Sequence, residues 1–170
     1  MQLLVIRHAI AEERDDWAFT GRPDSERPLT REGRRKMKKG AAALRALVPR
    51  LDSLASSPLE RAADTAAIVA REYDDMEVEL LPELSPQRVA DDLLTWLLSR
   101  DPGACVAVVG HEPGLGCLVG WLLTGRHESF VELKKGAACL LEFDDPPAAG
   151  NATLVWALAP GQLRKLERAR

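Results

Sequence analysis

Residues suited to acid, base or metal chemistry near neutral pH are scarce in this sequence, with three histidines and three cysteines in 170 residues. The cysteines, Cys105, Cys117 and Cys139, are odd in number, widely spaced and set in apolar stretches. That pattern argues against a disulfide framework or a metal knuckle and predicts buried free thiols in a reducing compartment. Long apolar runs are missing too. The richest, residues 104–109 and 117–123, fall far short of the ~20 residues that a membrane-spanning helix needs. The amino terminus lacks the basic region, apolar stretch and cleavage site of a secretory signal, so a cytoplasmic location without membrane association is expected. Nor is there an excess of positive charge. Lys and Arg number 23 against 26 Asp and Glu, for a net charge of -3, which gives no general attraction to nucleic acid. No internal repeat or low-complexity linker interrupts the chain.

What remains is a globular composition, 46% hydrophobic and 29% charged, of a length that predicts one domain over residues 1–170. Residues 3–6 are apolar without a break and read as a strand covered on both faces. A polar stretch with Gly21, Pro23 and Pro28 follows, and Thr30 can cap a helix running to about Val48, stopped by Pro49. Residues 51–56 read as a second strand. In "SPLERAADTA", Ser57 at the cap, Pro58 at the first helical position and Glu60 three residues on form a capping box. A short strand fits residues 78–81, and Ser85 with Pro86 repeats the cap-plus-proline start for a helix to about Ser99. Residues 104–109 are the clearest buried strand, followed by a helix from Pro113 closed by Gly125. The pattern then changes to "AACLLEF" and "ATLVWALAP", read as an antiparallel pair, and "QLRKLERAR" reads as a solvated tail. Strand and helix in alternation predict an α/β fold, a three-layer sandwich with a mostly parallel, mixed sheet flanked by helices.

Two of the three histidines, His8 and His111, directly follow the two best parallel strands. Ligands of open α/β sheets bind outside the carboxyl ends of the strands, so both imidazoles are expected to face one crevice. His127, in a polar loop, reads as surface. Arg61 falls in the first turn after Ser57, at a helix start whose free N–H groups and partial positive charge favour an anion. With Arg7 it would complete a compact cationic pocket fitted to phosphate oxygens. Ser57 and Glu60 are read as caps. Zinc held by the two histidines and Glu83 is a competing reading, disfavoured by two arginines beside any cation. The helix face carrying Arg31, Arg34, Arg35, Lys36, Lys38 and Lys39 reads as solvated, with docking of an acidic partner as the alternative.

These residues resemble the histidine phosphatase superfamily, or phosphoglycerate mutase-like fold, whose signature is an RHG or RHA triplet after the first strand, here Arg7, His8 and Ala9. Within it the chain is most similar to the bacterial SixA-type phosphohistidine phosphatases through "RPLTREG", "SPLERAADTA", "LPEL" and "VVGHEPGL", which keep family order across most of the chain. The resemblance implies that His8 is a nucleophile that becomes phosphorylated, that Arg7 and Arg61 bind the phosphoryl group, and that His111 is the second pocket histidine. It places Arg27 among the substrate-binding residues and makes Glu83 the candidate general acid. Ala9 departs from the glycine that is common in the wider superfamily. No metal or cofactor is implied. A phosphorylated histidine-containing protein is the expected substrate partner. The alternatives are a hydrolase of small phosphate esters and a phosphate-binding module without turnover.

Overall fold

The computed structural model describes residues 1–86 and 90–168. A six-stranded sheet in the order β3-β2-β4-β1-β5-β6 organises it. Its strands are β1 (Gln2–Arg7), β2 (Ser53–Ser56), β3 (Val78–Leu80), β4 (Cys105–Gly110), β5 (Ala138–Glu142) and β6 (Thr153–Leu158). The first four in chain order pair in parallel; β5 runs antiparallel to β1 and to β6. The sheet is therefore mixed and mostly parallel, as expected, and the antiparallel pair falls at one edge.

Alternation along the central strand sorts the core. Leu4 and Ile6 point into one apolar layer with Leu54, Ala107 and Val109. Leu3 and Val5 point into the opposite one with Ala55, Val106 and Val108. The first layer is covered by α2 (Arg31–Leu47), α3 (Glu60–Ala70) and α6 (Pro160–Arg168), which supply Met37, Leu44, Ala66, Val69 and Leu163. The second is covered by α4 (Leu94–Leu98) and α5 (Gly114–Thr124), through Leu97, Leu118, Val119 and Leu122. Fully burying each such side chain stabilises the fold by about 1.5–3 kcal/mol, so strands apolar on both faces are held in register and their polar ends are presented together.

Local signals explain most boundaries. Thr30 caps α2 by accepting from the N–H of Gly33 at 2.9 Å, and Gly125 closes α5 with a left-handed φ of 76°. A Cβ at Gly33 would overlap the carbonyl oxygen of Ile10, so glycine is required where α2 meets the chain leaving β1. A short helix α1 (Arg14–Ala18) and a 3-10 turn (Asp24–Glu26) occupy the stretch expected to be irregular.

Three expectations need correction. The capping box does not form: α3 starts at Glu60 with Leu59 in the cap position, and the Ser57 hydroxyl, which accepts from the N–H of Leu59, also contacts a side chain from another strand end. The helix expected from Ser85 does not start there: Ser85 is extended after a 3-10 turn at Pro82–Leu84, and the helical span begins as a 3-10 turn at Ala90–Leu93 and becomes α-helix from Leu94; residues 87–89 lie outside the described residues. The tail is not solvated, since α6 packs on α2 and Leu163 is fully buried. Cys105 and Cys139 are buried and Cys117 half-buried, all as free thiols; burial pushes the first two up to about 11 and about 12. His127 is exposed, with its ring stacked on Trp121. No described helix is long and apolar enough to cross a membrane.

Candidate active site

Parallel pairing places Arg7 of β1 beside Gly110 of β4, so the residues that follow, His8 and His111, leave the sheet side by side. Their ring centroids lie 5.0 Å apart. Both are nearly fully buried, His8 at 6% and His111 at 5% exposure. Backbone bonds fix the loop between them: the N–H of His8 donates to Gly110 O at 3.1 Å, and Gly136 N–H donates to His8 O at 3.0 Å.

The two imidazoles are held by opposite nitrogens. His8 Nδ1 lies 2.7 Å from the carbonyl oxygen of Ala9. A carbonyl can only accept, so Nδ1 carries the proton and Nε2 keeps its lone pair. His111 instead contacts the Ser57 hydroxyl through Nε2 at 2.9 Å, and its buried Nδ1 has no partner among the described residues. The N–H of Leu59 donates to Ser57 Oγ at 3.3 Å, and the Ser57 O–H has no acceptor other than His111 Nε2 among the described residues, so we assign the imidazole proton to Nδ1. One ring thus offers a lone pair and the other a donor.

Both rings stay neutral. Burial lowers His8 to about 3, with Arg61, Arg7 and Arg27 pushing in the same direction against the Ala9 hydrogen bond. Burial, then the neighbouring His8 and Arg61, lower His111 to about 3.

Arg61, on the first turn of α3, is 2% exposed. Its Nη1 donates to Asp24 O at 2.9 Å, and its Nη2 lies 3.1 Å from Asp24 Oδ2. Asp24 also takes Arg27 Nε at 2.7 Å, while Arg27 Nη1 donates to Glu12 O. Partial burial pushes the Asp24 carboxyl up, but its bond to Arg27 and the charge of Arg61 hold it below the ordinary range. Arg7 Nη1 donates to Leu133 O at 2.6 Å. Leu133 N–H in turn donates to Glu112 Oε1, and Gly116 N–H to Glu112 Oε2, so the carboxylate next to His111 orders the loop that steadies Arg7. Thr65, four residues after Arg61, accepts from Ala9 N–H at 3.0 Å and donates to Arg61 O at 2.7 Å. That spends the Ala9 amide within the protein.

Arg7, His8, Arg27, Arg61 and His111 line one cleft of about 200 Å³, with Glu13, Arg14, Glu112 and Lys135 around them. Glu83 is not among its lining residues; it sits on the 3-10 turn after β3, with one carboxylate oxygen buried and unpartnered. Among the described residues no His, Cys, Asp and Glu cluster is arranged to hold a metal ion. Asp24, Ser57, Thr65, Glu112 and Lys135 were not singled out as site residues from sequence. A usable signal existed for Thr65, one helical turn beyond Arg61 on the same face, and for Glu112, adjacent to His111. Asp24 had none.

The Nε atoms of Arg7 and Arg61 and Nδ1 of His111 are buried without any acceptor among the described residues. Donors left unpaired at such cost ask for an anion with several oxygens, so fold and site together define a phosphoanion-handling protein of the α/β class. Comparison with known proteins agrees. A family model, the histidine phosphatase superfamily (branch 1), matches residues 3–89. An uncharacterized protein of Picosynechococcus is 33% identical over 137 residues, spanning 79% of this chain and 81% of its own length. The phosphohistidine phosphatase SixA of Escherichia coli is 28% identical over 167 residues, or 96% of this chain and 97% of that protein. A solved structure of the protein histidine phosphatase SixA with tungstate superposes with a TM-score of 0.78 at 28% identity, covering 96% of this chain and 99% of the other. The chain belongs to the histidine phosphatase superfamily, and along nearly its whole length it is similar to SixA.

Proposed function

We propose that this phosphatase removes the phosphoryl group from phosphohistidine in proteins, through a phosphoryl group carried transiently on His8, in the cytoplasm. The observation that carries the mechanism is the bond from His8 Nδ1 to the Ala9 carbonyl, which directs a neutral Nε2 lone pair outward. In the first step the bond between His8 Nε2 and phosphorus forms as the bond from phosphorus to the substrate imidazole breaks. A substrate ring protonated beforehand leaves as neutral imidazole. In the second step water attacks phosphorus, the bond to His8 breaks, and the water protons end on inorganic phosphate, returning His8 neutral. Arg7, Arg61 and Nδ1–H of His111 stabilise charge on the phosphoryl oxygens throughout, the main task in phosphoryl transfer. Arg27 contributes through Asp24, which it shares with Arg61.

The substrate follows from the leaving group. Glu83 does not line the cleft, Glu112 accepts N–H groups on both oxygens, and Glu13 pairs with Lys135 at the exposed rim. No cleft carboxyl is therefore arranged as a buried proton donor among the described residues. An alkoxide needs such a donor, whereas imidazole, with a conjugate-acid pKa of about 6.5, leaves without one. The similarity to the Escherichia coli phosphohistidine phosphatase supports the same reading.

A substrate panel tests it. The kcat/KM on a phosphorylated histidine-containing domain is expected to exceed that on sugar, serine and nucleotide monoesters by about 100-fold, a gap that reflects the missing acid. Faster turnover of any small ester would assign the site to metabolite hydrolysis. Tight phosphate binding with no turnover would make the protein a binding module.

A further inference from the structure

Lys135 faces two depressions. On one side it lines the cleft with His8; on the other it lines a pocket of about 110 Å³ with Ile10, Lys36, Met37, Gly40 and Arg164. This second pocket lies along the seam where α2 packs on α6, and it also touches Ala9, the residue after His8. Among the described residues Lys135 is the one that lines both.

Its chemistry is cationic over an apolar floor. Lys36 pairs with Glu32 at 2.6 Å and Lys135 with Glu13 at 3.8 Å, but neither carboxylate lines the pocket. Arg164 makes no ion pair within 4.0 Å among the described residues, though its charge is felt by the Glu32 carboxylate that pairs with Lys36. Ile10 and Met37 provide apolar surface between these three cations.

Gly40 supplies a second and independent observation. Glycine inside a helix costs about 1 kcal/mol relative to alanine, a cost usually explained by a close neighbour. Gly33 on the same helix has such a neighbour in Ile10. Gly40 does not, because a Cβ there would meet only the Met37 thioether, at 4.0 Å. Packing within the protein does not demand glycine at this position, and the missing side chain leaves the pocket open.

We propose that this pocket is a second anion subsite, which takes a carboxylate or phosphate on a short apolar stem, carried by the same substrate whose phosphoryl group enters the cleft on the other side of Lys135. The proposal rests on the phosphatase reading above and adds a specificity element to it. In a protein substrate the group is an acidic side chain close to the phosphohistidine. In a small substrate it is a second acidic group on the leaving portion.

The test uses the full chain with four compounds. Two are phosphohistidine peptides that differ only by Glu or Gln beside the phosphohistidine; the others are phenyl phosphate and its 4-carboxy derivative. Native protein is expected to prefer the Glu peptide by about tenfold, the size of one charge-assisted contact, with the preference entirely in KM. The Lys36→Gln/Arg164→Gln double variant and Gly40→Leu, which fills the pocket, are expected to lose that preference and keep the activity on phenyl phosphate. A preference confined to the carboxyphenyl ester would assign the subsite to small substrates. Equal turnover within both pairs, or a preference that survives in the variants, overturns the proposal. If no compound is turned over, the phosphatase reading fails and the subsite is read by binding: the amide signals of Gly40 and Gly136 shift on titration with 4-carboxyphenyl phosphate in native protein and not in the double variant. Absence of those shifts in native protein overturns the subsite.

Discussion

β1 and β4 lie next to each other, both are apolar on both faces, and both deliver a histidine to the same edge of the sheet, yet the two ends do different things. At the end of β1 the imidazole is pinned by its neighbour's carbonyl, a bond one residue long in sequence. At the end of β4 it is pinned by the hydroxyl of Ser57, 54 residues away and on the end of β2. The local bond leaves a nucleophilic nitrogen exposed to substrate, and the long-range bond leaves a donor. Equivalent positions in a sheet thus acquire opposite roles from which of the two ring nitrogens is occupied.

The largest expected effect is at the β1 end. His8→Ala is expected to reduce steady-state turnover by 10⁴-fold or more, because the other cleft imidazole has its Nε2 engaged by Ser57 and the cleft carboxylates of Glu112 and Glu13 are committed to backbone N–H groups and Lys135. His111→Ala is expected to lose about 10²–10³-fold, with partial rescue by His111→Asn, whose amide can donate in place of Nδ1. Equal losses at the two positions would erase the difference between the strand ends. Arg61→Ala falls in the same range as His111→Ala, and Arg61→Lys recovers little, since an ammonium cannot span Asp24 and the phosphoryl oxygens together.

Titration sharpens the comparison next, because both rings share one fate despite their different partners. Each titrates at about 3 in the fold against about 6.5 in an unfolded chain. The unfolded chain binds more protons between these values, so stability is full above about 6.5 and declines as the pH falls toward 3. The expected loss is on the order of 2 kcal/mol per histidine between pH 7.5 and 5, a fall in Tm of roughly 5–15 °C. Thermal melts of native protein and His8→Asn measure it: the variant is expected to show about half the dependence, and a flat profile in native protein would contradict burial of neutral rings.

The smallest expected effect is at the long-range bond. Ser57→Ala is expected to lower kcat about tenfold with KM unchanged, and to convert His111 from a single Nδ1–H tautomer to a mixture in ¹⁵N spectra. His8 spectra are expected to stay as they are. A Ser57→Ala protein with native tautomers at His111 would show that the hydroxyl is only packing.

The two strand ends also differ in how far the sequence alone revealed them. An apolar run stopping at Arg7 and His8, and another at Gly110 and His111, is visible because strands buried on both faces have no other place for polar side chains than their ends. The mostly parallel, mixed sheet and the closing antiparallel pair followed from the same runs, whereas the order of the strands emerges only from their pairing. What the sequence hid depends on partners distant along the chain. Ser57, Pro58 and Glu60 are a sound local capping signal, but the hydroxyl of Ser57 is worth more to the otherwise unpaired His111 Nε2 than to a helix start that can begin two residues later. Asp24 sits in a polar stretch with no period, and its importance exists only once Arg27 and Arg61 converge on it. The last helix was masked by its charges, since Leu163 and Leu166 are the only large apolar side chains among residues 160–168 and only the first is buried. Glu83 carried a motif but not a position in the cleft.

The central claim is that Nε2 of His8 attacks phosphorus because Nδ1 is tied to Ala9. Rapid quenching under alkaline conditions after mixing with a phosphorylated histidine-containing domain, followed by mass mapping and ³¹P spectroscopy of the labelled peptide, measures this directly. The expected result is a single phosphoryl group on Nε2 of His8, formed and lost within turnover. A phosphoryl group on Nδ1, label on His111, or turnover without any labelled histidine would contradict it.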